Sequence, residues 1–129
     1  MNATKIRASV AAAAIAATLF TPSVAEAGDA DTLRSGGCSG FADWKLKLSP
    51  QNGRIEVEYE VDANRRGQRW QVALFHDGRR VMRGNFTTRG ISGSFTVRHV
   101  AANTAGGDRI RARAVRMSDG QTCAGRATF

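Results

Sequence analysis

Ile55, Val57, Tyr59 and Val61 alternate without a break with Glu56, Glu58, Glu60 and Asp62. Successive side chains of an extended chain point to opposite faces, so this segment carries one apolar and one charged face and reads as a half-buried strand. Just upstream, Trp44, Leu46 and Leu48 alternate with Lys45 and Lys47, and Pro50-Gln51-Asn52-Gly53 between the two runs supplies a turn. Pairing Ser49 with Arg54 sets Leu48 against Ile55, Lys47 against Glu56, Leu46 against Val57 and Lys45 against Glu58. A tighter Asn-Gly loop keeps the same matching by type. A slip of one residue would put lysines against apolar groups and turn a face over, so the side chains themselves specify this hairpin's register.

A second hairpin is expected around Asp77-Gly78, a pair suited to the two positive φ angles of a type I′ turn. On its first arm Trp70, Val72 and Leu74 alternate with Arg69, Gln71 and Ala73. Its second arm, Arg79 to Thr87, alternates poorly and contains Gly84, which suits an exposed edge strand blunted by charge. Further strands are expected at Ser94 to Val100, Asp108 to Met117 and Thr122 to Phe129, with a turn at Ser118-Asp119-Gly120-Gln121. Neither helical period nor internal repeat follows residue 27. A hairpin is marginal alone in water, and these apolar faces need a second layer. The expectation is an all-β, seven-stranded antiparallel two-sheet sandwich, immunoglobulin-like in its order of elements, with the Arg109-Arg111-Arg113 strand between the Trp70 strand and the last one.

The N-terminus has a different character. Lys5 and Arg7 precede the apolar run Val10 to Phe20, Pro22 breaks it, and Ala25-Glu26-Ala27 offers small residues to a signal peptidase. Residues 1–27 are read as a secretory signal peptide, 28–37 as a flexible Gly-rich tail and 38–129 as the β-sandwich domain. The apolar run is short of the about 20 residues a membrane span needs, and the mature chain has no transmembrane segment by this reading. A lipoprotein reading fails, because Arg34-Ser35-Gly36-Gly37 before Cys38 lacks the apolar residue of a lipobox. The location is therefore expected to be secreted and extracellular. Cys38 and Cys123 are the two cysteines, and an even count in an exported chain argues for a disulfide joining the first and last strands.

The chain carries a net charge of +8, unevenly spread. Beyond Ala63 there are thirteen arginines, no lysine and only Asp77, Asp108 and Asp119 as acids. In the expected topology Arg69, Arg109, Arg111, Arg113 and Arg126 share the outer face of one sheet, with Gln71 among them and Arg65 and Arg66 on a neighbouring loop. Guanidinium groups recurring at about 7 Å along a strand can grip phosphates or carboxylates in pairs. An anionic polymer, an acidic glycan, a lipid headgroup or nucleic acid would satisfy them. Only Phe75 offers an aromatic ring among these arginines, so base stacking has little support.

Catalytic constellations are sparse. Both cysteines are expected to be bridged, and no Gly-x-Ser-x-Gly stands at a strand-to-helix turn. Glu56, Glu58 and Glu60 are read as solubilising partners of the lysines opposite. His76 and His99 fall on inward positions at strand ends, and the pair with Asp77 is too small a set for zinc. Asn85-Phe86-Thr87 is a glycosylation sequon relevant only to a eukaryotic secretory route. The sequence thus points to a non-enzymatic binding module with no metal and no cofactor. The alternative is a protein-binding module, or an inhibitor of a secreted protease, acting through Asn64-Arg65-Arg66-Gly67 or Thr88-Arg89-Gly90.

The runs Trp44-Lys45-Leu46-Lys47, Ile55 to Asp62, Gly67-Gln68-Arg69-Trp70 and Ser92 to Arg98, with Cys123, resemble a group of small secreted actinobacterial proteins having a signal peptide and two cysteines. The resemblance covers most of residues 38–129. It implies secretion and an all-β domain, and it carries no catalytic residue to transfer.

Overall fold

The computed structural model describes residues 30–129; the expected signal peptide lies outside the described residues. Eight strands follow in order: β1 (Thr32–Gly37), β2 (Asp43–Gln51), β3 (Arg54–Asp62), β4 (Arg69–His76), β5 (Arg79–Thr87), β6 (Ser94–Ala102), β7 (Arg109–Arg116) and β8 (Thr122–Thr128). They form two antiparallel four-stranded sheets, ordered β1-β2-β3-β6 and β5-β4-β7-β8. One core cluster draws on the inner faces of both, which makes the domain a sandwich. Trp70 and Tyr59 are the largest side chains fully enclosed, packed among Leu46, Leu48, Ile55, Val72, Leu74 and Ile110.

The first hairpin adopts the tight alternative. Gln51 pairs with Arg54 around Asn52 and Gly53, whose φ angles are 49° and 76°. Leu48 therefore opposes Val57, Lys47 opposes Glu58 and Leu46 opposes Tyr59, a shift of two residues that keeps apolar against apolar. The charged pairs actually formed are different from those the register sets opposite: Lys47 reaches Asp31 at 3.3 Å and Arg98 on β6 reaches Glu58 at 3.1 Å. Asp77 and Gly78 also take positive φ, 48° and 81°, as their turn requires.

Two expectations are corrected. The sandwich has eight strands rather than seven, because Thr32–Gly37, expected within a flexible tail, pairs with β2 along its whole length. Its Gly-rich sequence has no apolar alternation to announce a strand. The Trp44 indole supplies the missing reason. It lies between β1 and β8, so close that a Cβ at Gly36 would stand 2.9 Å from the ring and one at Gly125 only 2.5 Å. Glycine at both positions lets a large apolar ring close one edge of the sandwich, and β1 gains a ladder and a packing surface together.

The disulfide is present. Cys38, directly after β1, is bonded to Cys123 in β8 with Cα atoms 4.3 Å apart, across a sequence separation of 85. A loop that long removes roughly 4.5 kcal/mol of unfolded-chain entropy at most. The core cluster, both sheets and the bridge are built from residues among those described, 30–129.

Candidate functional site: an arginine face

The outer face of the β5-β4-β7-β8 sheet follows from which positions the core takes. Trp70, Val72 and Leu74 on β4, Ile110, Ala112 and Ala114 on β7, and Cys123 and Ala127 on β8 point inward. Arg69, Gln71, Ala73 and Phe75, then Arg109, Arg111, Arg113 and Val115, then Ala124 and Arg126, must point outward. All five expected arginines are exposed on this one face. Arg111 stands directly across from Arg126, with Arg109 and Arg113 two residues away along the same strand. Arg69 shares the face but sits at the far end of β4, beyond Ala73 and Gln71.

Two further members come from β5, where the sequence pattern was least regular. A β-bulge between Leu74 and Phe75 inserts an extra residue on the β5 side. Phe75 pairs with Arg80, yet Ala73 pairs with Arg83, so two arginines three residues apart both face outward. Without the bulge, Arg83 would point into the core. Val81 and Met82 instead pack against it. The same bulge explains why the alternation of Arg79 to Thr87 looked poor.

The register then sets one row across all four strands: Arg80, Phe75, Arg111 and Arg126. A second row carries Arg83, Ala73 and Arg113. With strands about 4.8 Å apart, four strands place the ends of a row about 14 Å from each other. The Arg111 guanidinium lies over the Phe75 ring at 4.4 Å from its centroid, a cation–π contact that holds the side chain in place. Gln71, turned so that its amide oxygen faces β5, accepts from Arg83 at 2.8 Å. Phe75 divides two shallow grooves of ≈ 460 Å³ each. One is lined by Arg80, Arg83 and Arg113, the other by Arg34, Arg109, Arg111 and Arg126. Arg34 on β1 extends the basic surface past the sheet edge.

No carboxylate occupies an outward position of these four strands, and none of the ion pairs among the described residues involves the arginines of the face. Seven guanidinium groups share this outer face and enter no ion pair among the described residues. Their mutual repulsion is relieved by solvent and by any anion that settles among them.

A second polar constellation lies at one end of the sandwich. Asp108, fully buried, accepts from the Thr104 hydroxyl at 2.6 Å, from the Thr104 backbone N–H at 3.1 Å and from His76 Nε2 at 2.7 Å. Asp77 lies 3.5 Å from the same Nε2 and accepts from the Arg109 N–H. Burial by itself would raise the Asp108 pKa, but the donors from Thr104 and His76 outweigh it and hold the carboxyl below its ordinary range. His76, Asp77 and Asp108 bring ligand atoms within 4.8 Å of one another, a grouping the sequence reading missed because Asp108 looked like a strand-end residue. The Thr104 hydroxyl and backbone N–H both donate to Asp108, which clamps the β6–β7 loop to this buried carboxylate. His99 sits nearby with its pKa lowered, first by burial and then by the positive charges of His76 and Arg54.

Among the described residues no helix is long and apolar enough to cross a membrane. Compared with known proteins, the chain matches no family model, no curated protein and no solved structure.

Proposed function

We propose that this protein is an exported, non-enzymatic binding module that holds an anionic partner on its arginine face. One observation carries the reading. Seven exposed arginines gather on the outer face of a single sheet, with no acid among them and two of them steadied by Phe75 and Gln71. Solubility alone is met by charges of both signs interspersed, whereas one sign concentrated on one side creates a field that draws in anions. Two rows crossing the strands suit a linear polyanion lying over the sheet, each charged unit meeting a guanidinium from the next strand. Export is supported by the leader-like N-terminus and by the disulfide, which an oxidising compartment favours. The strand order also suits an immunoglobulin-like sandwich extended by β1.

The test is retention on immobilised heparin or polyphosphate as a function of salt. Binding through this face gives an affinity that falls steeply and linearly in log–log form, because each contacted charge releases a counterion. Equal retention after Arg111→Gln with Arg113→Gln would sink the reading.

A further inference from the structure

The end of the sandwich away from His76 carries a feature that anion binding on the sheet leaves unused. Four connections meet there: residues 38–42 ahead of β2, 63–68 between β3 and β4, 88–93 between β5 and β6, and 117–121 between β7 and β8. They are laced into one unit. The Cys38–Cys123 bridge and the Ser39 N–H to Thr122 carbonyl bond fix the first connection to β8, while the Ala42 N–H reaches Gln121 Oε1. Buried Thr88 accepts from the Gln68 N–H and donates to the Arg65 carbonyl, and the Ala63 N–H bonds the Gly93 carbonyl. Gly93, at positive φ, packs so tightly on the Arg65 backbone that there is no room for a Cβ.

On this braced end, large apolar side chains are turned outward. Phe41 is 103 % and Ile91 100 % exposed, and Met117 is 55 % exposed. Arg65, Arg66 and Arg89 stand exposed among them and enter none of the ion pairs among the described residues. Of the acids at this end, Asp119 is paired with Arg116 at 3.4 Å and Asp62 accepts from the Asn64 N–H, while exposed Asp43 at the start of β2 enters no ion pair among the described residues. Each apolar group projects from a different connection, held in place by hydrogen bonds that do not involve it.

We infer that this end docks onto an anionic lipid surface, with Phe41 and Ile91 entering the headgroup–acyl boundary and Arg65, Arg66 and Arg89 meeting lipid phosphates. Side chains as fully exposed as Phe41 and Ile91 rest against little of the surface around them, whereas protein hot spots are packed into desolvated pockets. A fluid interface needs no such match: it closes around each tip, while basic neighbours are drawn to the anionic leaflet. Aromatic and aliphatic tips beside arginines are the side chains that interface rewards. The apolar tips lie on the connections and the polyanion rows on the strands, with Arg69 bordering both, so substitutions at Phe41 and Ile91 test docking without touching the rows.

The experiment uses the domain from Gly28 onward, free of the leader's own apolar run, with vesicles of phosphatidylcholine alone or mixed with phosphatidylglycerol. Sedimentation should show binding to the anionic vesicles only. Phe41→Ser combined with Ile91→Ser should weaken it about tenfold or more, leaving heparin retention and the thermal midpoint unchanged. In Phe41→Trp, the added indole should shift to shorter wavelength on anionic vesicles and be quenched by brominated acyl chains. Unaltered vesicle binding by the double serine variant, or an indole at position 41 untouched by brominated lipid, would overturn the inference. So would vesicle binding lost on changing Arg111, Arg113 and Arg126 but kept in the loop variant, or loops that bind a purified protein and ignore vesicles. An unaltered domain that binds anionic vesicles but is not retained on heparin would reject the sheet-face reading and leave this one standing.

Discussion

The hydroxyl of Tyr59, at the middle of β3, donates to the carbonyl of Cys123 on β8 at 2.8 Å, inside the core. It ties the first sheet to the last strand of the second at the residue that also carries the disulfide. Replacing Tyr59 by Phe keeps the ring and removes the donor, leaving the Cys123 carbonyl without that partner. The expected cost is about 1–3 kcal/mol in urea or thermal unfolding. Burial also pushes the phenol's pKa well above its ordinary value of 10.0. The unfolded chain then releases this proton near pH 10 while the folded chain retains it, so stability falls as pH rises past that point. Tyr59→Phe should flatten this alkaline decline; an unchanged slope would mean that the hydroxyl is not held inside.

Trp44 makes the complementary case for shape. Its ring is flanked by Gly36 and Gly125, and a methyl group at Gly125 would fall 2.5 Å from ring carbon. Gly125→Ala should therefore cost about 1–3 kcal/mol, the usual penalty for overpacking, although its strand conformation suits alanine. Trp44→Leu in the same background should recover part of that loss, because the smaller side chain frees the space the methyl needs. Additive losses in the double variant, measured by thermal unfolding, would refute the contact.

Much of this architecture could be read from the chain because alternation and turn chemistry agree along it. Leu46, Leu48, Ile55, Val57, Tyr59 and Trp70 all occupy the inward positions that their period of two assigns, and the Asn52-Gly53 and Asp77-Gly78 turns take the φ angles their residues suit. β1 was hidden because its hold is a backbone ladder and another strand's tryptophan, neither of which leaves a mark in Thr32–Gly37 itself. The arginine face was visible where strands alternate strictly, on β7 and β8. Arg80 and Arg83 were obscured by a bulge, which changes parity partway along β5 and has no side-chain signature. Phe41 and Ile91 lie in connections, where no period exists to reveal an apolar residue pointing outward.

The histidine end gives an acid-side prediction. The His99 pKa is lowered from 6.5 by burial and by the charges of His76 and Arg54, so the unfolded state takes up this proton at higher pH than the folded one. Stability from this group is complete above about pH 6.5 and is lost as pH falls through the folded value. Asp108, with its pKa also lowered, adds a second loss as pH falls below 3.8 toward its own folded value. His99→Gln should remove the first decline in a pH series of denaturation midpoints and leave the second. Asp108→Asn should abolish the second and free the β6–β7 loop, seen as faster amide exchange at Thr104.

The arginine face yields a prediction that separates position from charge. Arg111 and Arg126 oppose one another in the row through Phe75, whereas Arg98 lies on the other sheet, paired with Glu58. Each variant to Gln removes one unit of charge, so a merely global attraction would respond alike to all three. Contact through the row predicts otherwise. Arg111→Gln and Arg126→Gln should each lower the slope of log affinity against log salt for a linear polyanion by about 1, and Arg98→Gln should leave it unchanged. Phe75→Leu keeps every charge but removes the ring beneath Arg111, and should weaken binding by about two- to fivefold at constant slope, the loss of a cation–π contact at an exposed site. Equal slopes for all three arginine variants, measured by titration at several salt concentrations, would show that the row does not receive the polymer.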